Sequence, residues 1–371
     1  MKHKPTQIAP RERLLSLDAL RGFDMFWITG GGYLVTALAK NSTSGWLHTL
    51  AEQMDHVPWN GFHFFDLIFP LFMFISGVAI PFAMGSKFER KVPKADLAKK
   101  AFKRAMILVL LGLVYNGVFS NGFDNPRFAS VLAQIGLAYF FTALIVIYSK
   151  SLKHQLYWLG SILVGIGIIQ LLVPVSGIGA GALTPEGCIN GYIDRMFLPG
   201  RLYGGSFDPE GLLCIVSAVT VTLMGSVAGH FLRDKKTKDR QKIRTLLIFG
   251  TSAIALALVL STFYPIIKAC WTSSFNLLTG GIGFLLIAIF YWIIDVKGWK
   301  KWSFFFRVIG MNSIFIYLLT DLANPAGIAK YLFGWTTLWG DFGHIVSIIG
   351  SIMLVWSLLY YMYKKNIFLR V

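Results

Sequence analysis

Ten apolar runs of roughly twenty residues recur along this 371-residue chain, and they constrain its fold more than any motif does. Their cores lie near 22 to 39, 64 to 84, 105 to 122, 128 to 148, 157 to 174, 211 to 232, 245 to 264, 275 to 294, 304 to 322 and 343 to 363. A helix rising 1.5 Å per residue needs about twenty residues to cross roughly 30 Å of hydrocarbon. Only 14% of residues are charged and the mean hydropathy is +0.60, which excludes a soluble globular class. The expected fold is an all-α polytopic membrane protein with about ten transmembrane helices. It is expected to be one transmembrane domain over 1–371, with a short cytoplasmic tail at 1–12.

A net charge of +17 invites a nucleic-acid partner, but the distribution of the basic residues points elsewhere. Lys and Arg gather before the first run, over 87 to 104, over 233 to 244, and at Lys364, Lys365 and Arg370. The alternate loops hold few, chiefly Lys40, Arg127, Arg195, Arg201, Lys268 and Lys330. This positive-inside pattern predicts cytoplasmic termini and no nucleic-acid partner. The first fifteen or so residues are polar, so no cleavable signal peptide is expected. Cys188, Cys214 and Cys270 have no metal-ligand spacing, and no metal site is expected. Cys188 and Cys270 map to the outer side, where an oxidising compartment permits a disulfide that spacing alone does not establish.

Candidate site residues cluster where polar groups meet the edges of the apolar runs. Such groups are costly beside lipid, so they face a protein interior or a wet cavity. The stretch DHVPWNGFHFFD places His56, His63 and Asp66 at the mouth of the second run. His63 and Asp66 are three apart, a spacing that puts a carboxylate beside an imidazole on one helix face. The long loops 40 to 62, 175 to 210 and 323 to 342 are expected to be structured outer-face elements carrying function. They and their borders hold Asn60, Asp194, Asp208 and Glu210. In SLDALRG, Asp18 and Arg21 are spaced for a local ion pair, either anchoring the first span or contacting a ligand. Asp24 follows on the same face and requires Arg21 or a polar partner from another helix. Gly30 and Gly31 interrupt that span, for helix packing or for close approach of a ligand. Asn312 and Ser313 lie inside a run and need partners.

Seven ordered segments carry a resemblance: RLLSLDALRG at 13 to 22, HVPWNGFHFFDLIFPLFMFISG at 56 to 77, VLAQIGLAYF at 131 to 140, GCINGYIDRMFL at 187 to 198, FDPEGLL at 207 to 213, DVKGW at 295 to 299 and GMNSIFIYL at 310 to 318. In these the chain resembles the transmembrane acyltransferase family typified by heparan-alpha-glucosaminide N-acetyltransferase. The resemblance implies a homodimeric membrane enzyme of a bacterial inner membrane. It would move an acetyl group from cytoplasmic acetyl-CoA to an amino sugar on the far side. His56 matches the family's catalytic histidine. The family's catalytic asparagine precedes its glycine run, where this chain has Ile28 and Thr29, leaving Asn60 or Thr29 for that role. Asn60, the Trp59 indole and backbone amides near Gly61 are the candidate oxyanion donors. The cosubstrate is assigned to Asp18, Arg21, Gly30 and Gly31. The acceptor is assigned to Asp66, Asp194, Asp208, Glu210 and Asn312. Two other classes fit the composition: an amino-sugar transporter, weakened by the lack of an internal repeat, and an O-acetyltransferase of an envelope glycan.

Overall fold

The computed structural model describes residues 14–121, 125–322 and 325–369, and its elements are nearly all helical. The expected tail over 1–12 and the basic residues Lys2, Lys4, Arg11 and Arg13 lie outside the described residues, whereas Arg21 lies in the first helix. The helices are α1 (Leu15–Phe26), α2 (Gly32–Lys40), α3 (Gly45–Glu52), α4 (Phe64–Glu89), α5 (Lys94–Tyr115), α6 (Val118–Asn121), α7 (Val131–Tyr148) and α8 (Leu152–Leu172). They continue as α9 (Ile189–Phe197), α10 (Leu212–Arg233), α11 (Asp239–Ser261), α12 (Ser273–Phe290), α13 (Phe304–Gly310), α14 (Ser313–Leu322), α15 (Pro325–Phe333) and α16 (Asp341–Lys364). A two-stranded hairpin, β1 (Pro174–Val175) and β2 (Gly179–Ala180), pairs Pro174 with Ala180.

Among the described residues each of the ten apolar runs falls mainly on helix, and seven helices are long and apolar enough to cross a membrane: α4, α7, α8, α10, α11, the unit 273–296 and α16. The other three runs are helical but different in kind. The first is α1 and α2 joined through a π-helical turn, Trp27–Gly31, in which Gly30 has φ 147°. That backbone region is closed to residues with a Cβ. α5 opens with the charged stretch KADLAKKAFKR, and the 304 to 322 run is split into α13 and α14.

α10 is the hub, packing on α4, α7, α8 and α12. Of the apolar stretch of α10 83% is buried, against 17% for α8 and for α11, which leaves those two at the periphery. The α4–α10 contact is backbone to backbone. A Cβ at Gly225 would lie 1.9 Å from the Phe74 carbonyl oxygen, and one at Gly77 1.9 Å from that of Thr222. Glycine is what lets the two helices approach this closely.

The N-termini of α4, α7, α10 and α12 gather at one end of the bundle, and local chemistry explains why each helix begins there. The Ser130 hydroxyl accepts from Ala133 N–H at 3.1 Å to start α7, and the Thr272 hydroxyl accepts from Phe275 N–H at 3.4 Å to start α12. Asp194 Oδ1 accepts from Leu212 N–H at 2.9 Å to start α10, and Asp66 Oδ2 accepts from His63 N–H at 3.0 Å to start α4. Capping of this kind satisfies amide groups that the helix itself leaves unpaired. Helices of 22 to 26 residues are about 33 to 39 Å long, so the basic loops after α4 and α10 lie at the far end. There Arg233 pairs with Glu89.

Candidate active site

A cavity of about 590 Å³ opens among those four helix starts. Its polar mouth is formed by His56, Asp66, Arg127, Glu210 and Lys268. It continues inward along apolar walls that include Met25, Ile28, Phe72 and Ile135. Phe72 lies six residues beyond Asp66 on α4, about 9 Å deeper at 1.5 Å per residue.

His56 belongs to the loop that folds back over the start of α4. Its Nδ1 is 2.7 Å from Asp66 Oδ1, and Asp66 is fully buried. An ionised carboxylate only accepts, so Nδ1–H donates and the Nε2 lone pair is left toward the cavity. Asp66 Oδ2 takes the backbone N–H groups of His63 and, at 3.4 Å, Val57. The carboxylate thus fixes both the helix start and the imidazole. The partner expected from the three-residue spacing is corrected here. His63 Nδ1 turns to the Asp55 carbonyl oxygen at 3.0 Å, because Asp66 in the first helical turn reaches back past His63 to the preceding loop.

Lys268 enters from the turn Lys268–Cys270 before α12. Its Nζ is 3.2 Å from Asp66 Oδ1 and 3.0 and 3.3 Å from the two ring nitrogens of His56. Nearly equal distances put the ammonium over the imidazole rather than in line with the Nε2 lone pair. Burial draws the Lys268 ammonium below the ordinary lysine range, and the Asp66 and Glu210 carboxylates oppose that shift.

On the opposite wall Arg127 holds Asp208 through Nε at 2.9 Å and Nη2 at 2.6 Å, and also contacts Glu210. Burial works against the Arg127 charge, but the two carboxylates outweigh it and hold its pKa above the usual value. Asp208 also accepts from the backbone N–H groups of Tyr203 and Glu210, each at 3.0 Å. The Arg127 guanidinium lies 4.9 Å from the Tyr203 ring centre. Burial pushes the Glu210 carboxyl up to about 7, with Arg127 opposing.

Of the residues picked from sequence, His56, Asp66 and Glu210 line the cavity, and Asp208 joins it through Arg127. Trp59 also lines it, and the other picked residues lie elsewhere. Asn60 is exposed and its backbone bridges to Ile267, and Gly61 N–H is spent on the Ile266 carbonyl oxygen at 3.0 Å. The Trp59 indole donates to the Leu183 carbonyl oxygen at 2.7 Å. Asp194 caps α10, and Arg195 turns to the carbonyl oxygens of Ser206 and Glu186. Asn312 ties down the C-terminal segment, donating to the Ile367 carbonyl oxygen at 3.2 Å and accepting from Leu369 N–H at 3.0 Å. Asp18 and Arg21 pair within α1 at 3.7 Å. Gly30 and Gly31 pack against Ile352 and Phe26. Asp24 is fully buried with neither carboxyl oxygen hydrogen-bonded, and of its expected partners Arg21 acts on it through charge. Spacing left a Cys188–Cys270 disulfide open, and in the structure both cysteines are free and buried, packed with Ile267. The Cys188 sulfur instead accepts from Gly191 N–H at 3.4 Å to start α9. Among the described residues no cluster of three or more His, Cys, Asp or Glu has a metal-binding arrangement.

Lys268 and Arg127 were missed as site residues. Their one signal in the sequence is that they stand almost alone as basic residues in loops that are otherwise poor in them.

No family model matches the chain. It is similar to the human heparan-alpha-glucosaminide N-acetyltransferase, with 28% identity over 375 residues, 85% of this chain and 55% of the human protein. The mouse protein of the same name is 28% identical over 422 residues, 98% of this chain and 62% of its own length. The chain therefore spans less than two thirds of the length of these relatives.

Proposed function

Since this chain is a relative of the heparan-alpha-glucosaminide N-acetyltransferase family, we propose that it is a membrane acyltransferase. It moves an acetyl group from acetyl-CoA, supplied at the basic inner face, to the amine of an amino sugar at the outer face. The observation that carries this reading is the His56–Asp66 pair at 2.7 Å, with Nε2 facing a cavity whose apolar walls run down between the helices. A pantetheine arm fits such a passage, and only the thioester has to reach the imidazole.

The chemistry follows from the arrangement. Amino sugars arrive protonated, and the Glu210 carboxylate, titrating near 7, takes the first proton. The free amine attacks the thioester carbon, a C–N bond forms, and the carbonyl π pair moves onto oxygen. His56 Nε2 takes the second amine proton, while Asp66 holds the ring and stabilises the imidazolium. The tetrahedral species collapses, the C–S bond breaks, and the imidazolium returns its proton to the thiolate. The products are an N-acetyl sugar and CoA, with His56 neutral again and Glu210 returned to the carboxylate by release of the first proton to solvent.

The test is transfer from labelled acetyl-CoA to glucosamine by purified protein in nanodiscs, beside His56→Ala. Wild type is expected to form labelled N-acetylglucosamine, and a folded, acetyl-CoA-binding His56→Ala to be slower by roughly 10²- to 10⁴-fold. A wild-type protein that labels no amino sugar sinks the acyltransferase reading. An equally active His56→Ala moves the chemistry elsewhere.

A further inference from the structure

Acyl transfer needs a donor for the oxyanion, and the donors that the sequence offers are already engaged or turned away. The Trp59 indole is held by Leu183, Gly61 N–H by Ile266, and Asn60 is exposed outside the cavity lining. Arg127 lines the cavity but its guanidinium is shared between Asp208 and Glu210. The His56 ring is held by Asp66 at 2.7 Å, with the Lys268 ammonium 3.0 and 3.3 Å from its two nitrogens.

We infer that Lys268 is the oxyanion-stabilising residue of this site, donating an N–H from Nζ to the thioester oxygen as it becomes an alkoxide. The inference rests on the acyltransferase reading above. A lysine ammonium has three protons and no acceptor. One of them serves Asp66 Oδ1 at 3.2 Å, and because Nζ lies over the imidazole rather than on a lone pair, the others are left for the cavity. The amine nitrogen whose proton passes to Nε2 sits within hydrogen-bond reach of the ring, and the carbonyl carbon is one bond further. The carbonyl oxygen therefore develops its charge within a few ångströms of a cation that is itself 3.0 to 3.3 Å from that ring. Asp66 holds the ammonium and the imidazole on one oxygen, so base and oxyanion donor are fixed by a single buried carboxylate. In the step, negative charge moves from the amine lone pair through the carbonyl to oxygen, is held there by Lys268, and returns to carbon as the C–S pair leaves with sulfur. Lys268 ends the cycle with its protons unchanged.

The experiment compares wild type, Lys268→Gln and Lys268→Arg in nanodiscs, with binding of CoA and of its trifluoroacetonyl thioether. The hydrated ketone of that thioether mimics the tetrahedral species. Removal of one oxyanion donor is expected to lower kcat by roughly 10²- to 10³-fold in Lys268→Gln, with KM for both substrates within about threefold of wild type. Affinity for the ketone falls in parallel while CoA binds as before, and Lys268→Arg recovers part of both losses. A kcat for Lys268→Gln within about threefold of wild type overturns the inference, as does equal weakening of ketone and CoA, which is the result for a merely structural residue. Those outcomes leave the acyltransferase reading standing. A wild-type protein without transfer overturns that reading, and this inference with it.

Discussion

Single carboxylates at this site do more than one task, and their environments separate the tasks. Asp66 joins a helix start to the imidazole and to Lys268. Asp194 serves α10 through Oδ1, while Oδ2 is buried without a hydrogen-bond partner. Burial pushes its carboxyl up to about 6 from an ordinary 3.8, with the Leu212 N–H opposing. The folded protein therefore holds this proton more tightly than the unfolded chain. Its contribution to stability is fully present below about 3.8 and is lost as pH rises to about 6. Thermal midpoints of wild type should fall across that window more steeply than those of Asp194→Asn, whose side chain stays neutral. Parallel curves from pH 4 to 7 would show that Asp194 titrates as an ordinary carboxylate. The sequence marked His56, Asp66 and Glu210 because polar groups beside apolar runs are costly. It could not mark Lys268, whose role depends on a contact across 212 positions of chain.

Among the elements, α4 and α10 are the rigid pair on which the site stands. Their glycines at 77 and 225 bring backbone against backbone, and the starts of both helices supply the walls around His56. Gly225→Ala forces a Cβ toward a carbonyl oxygen at 1.9 Å, so one helix must shift. Overpacking of this kind costs about 1 to 3 kcal/mol, and the thermal midpoint of the purified protein is expected to fall accordingly. An unchanged midpoint would mean that the α4–α10 contact adjusts freely. The helices were legible because twenty-residue apolar runs have few alternatives in lipid. Their interruptions were less so. The Gly30–Gly32 run announces a break, but the π-helical turn and its packing on Ile352 require α16 to be in place.

At the scale of the molecule, the basic loops after α4 and α10 and the polar site occupy opposite ends of the bundle, which is the arrangement that the proposed transfer from one face to the other requires. The orientation expected from the positive-inside pattern, with cytoplasmic termini, puts the loop carrying Glu186 outside and the loop carrying Lys236 inside. Both residues are exposed, and the three native cysteines are buried. An impermeant maleimide added to intact cells is expected to label Glu186→Cys, and to label Lys236→Cys only after permeabilisation. The reverse pattern would turn the protein over and place the His56 chemistry in the cytoplasm. The sequence by itself determined the apolar surroundings, the helical class and the position of His56 just before the start of an apolar helix, because burial of backbone polar groups in lipid leaves so few solutions. The tertiary structure alone decided which polar residues share a cavity and which are caps. Helix starts collect carboxylates for their own amide groups, and only packing shows that Asp66 and Glu210 face a common space with Lys268 while Asp194 and Asn312 serve the backbone.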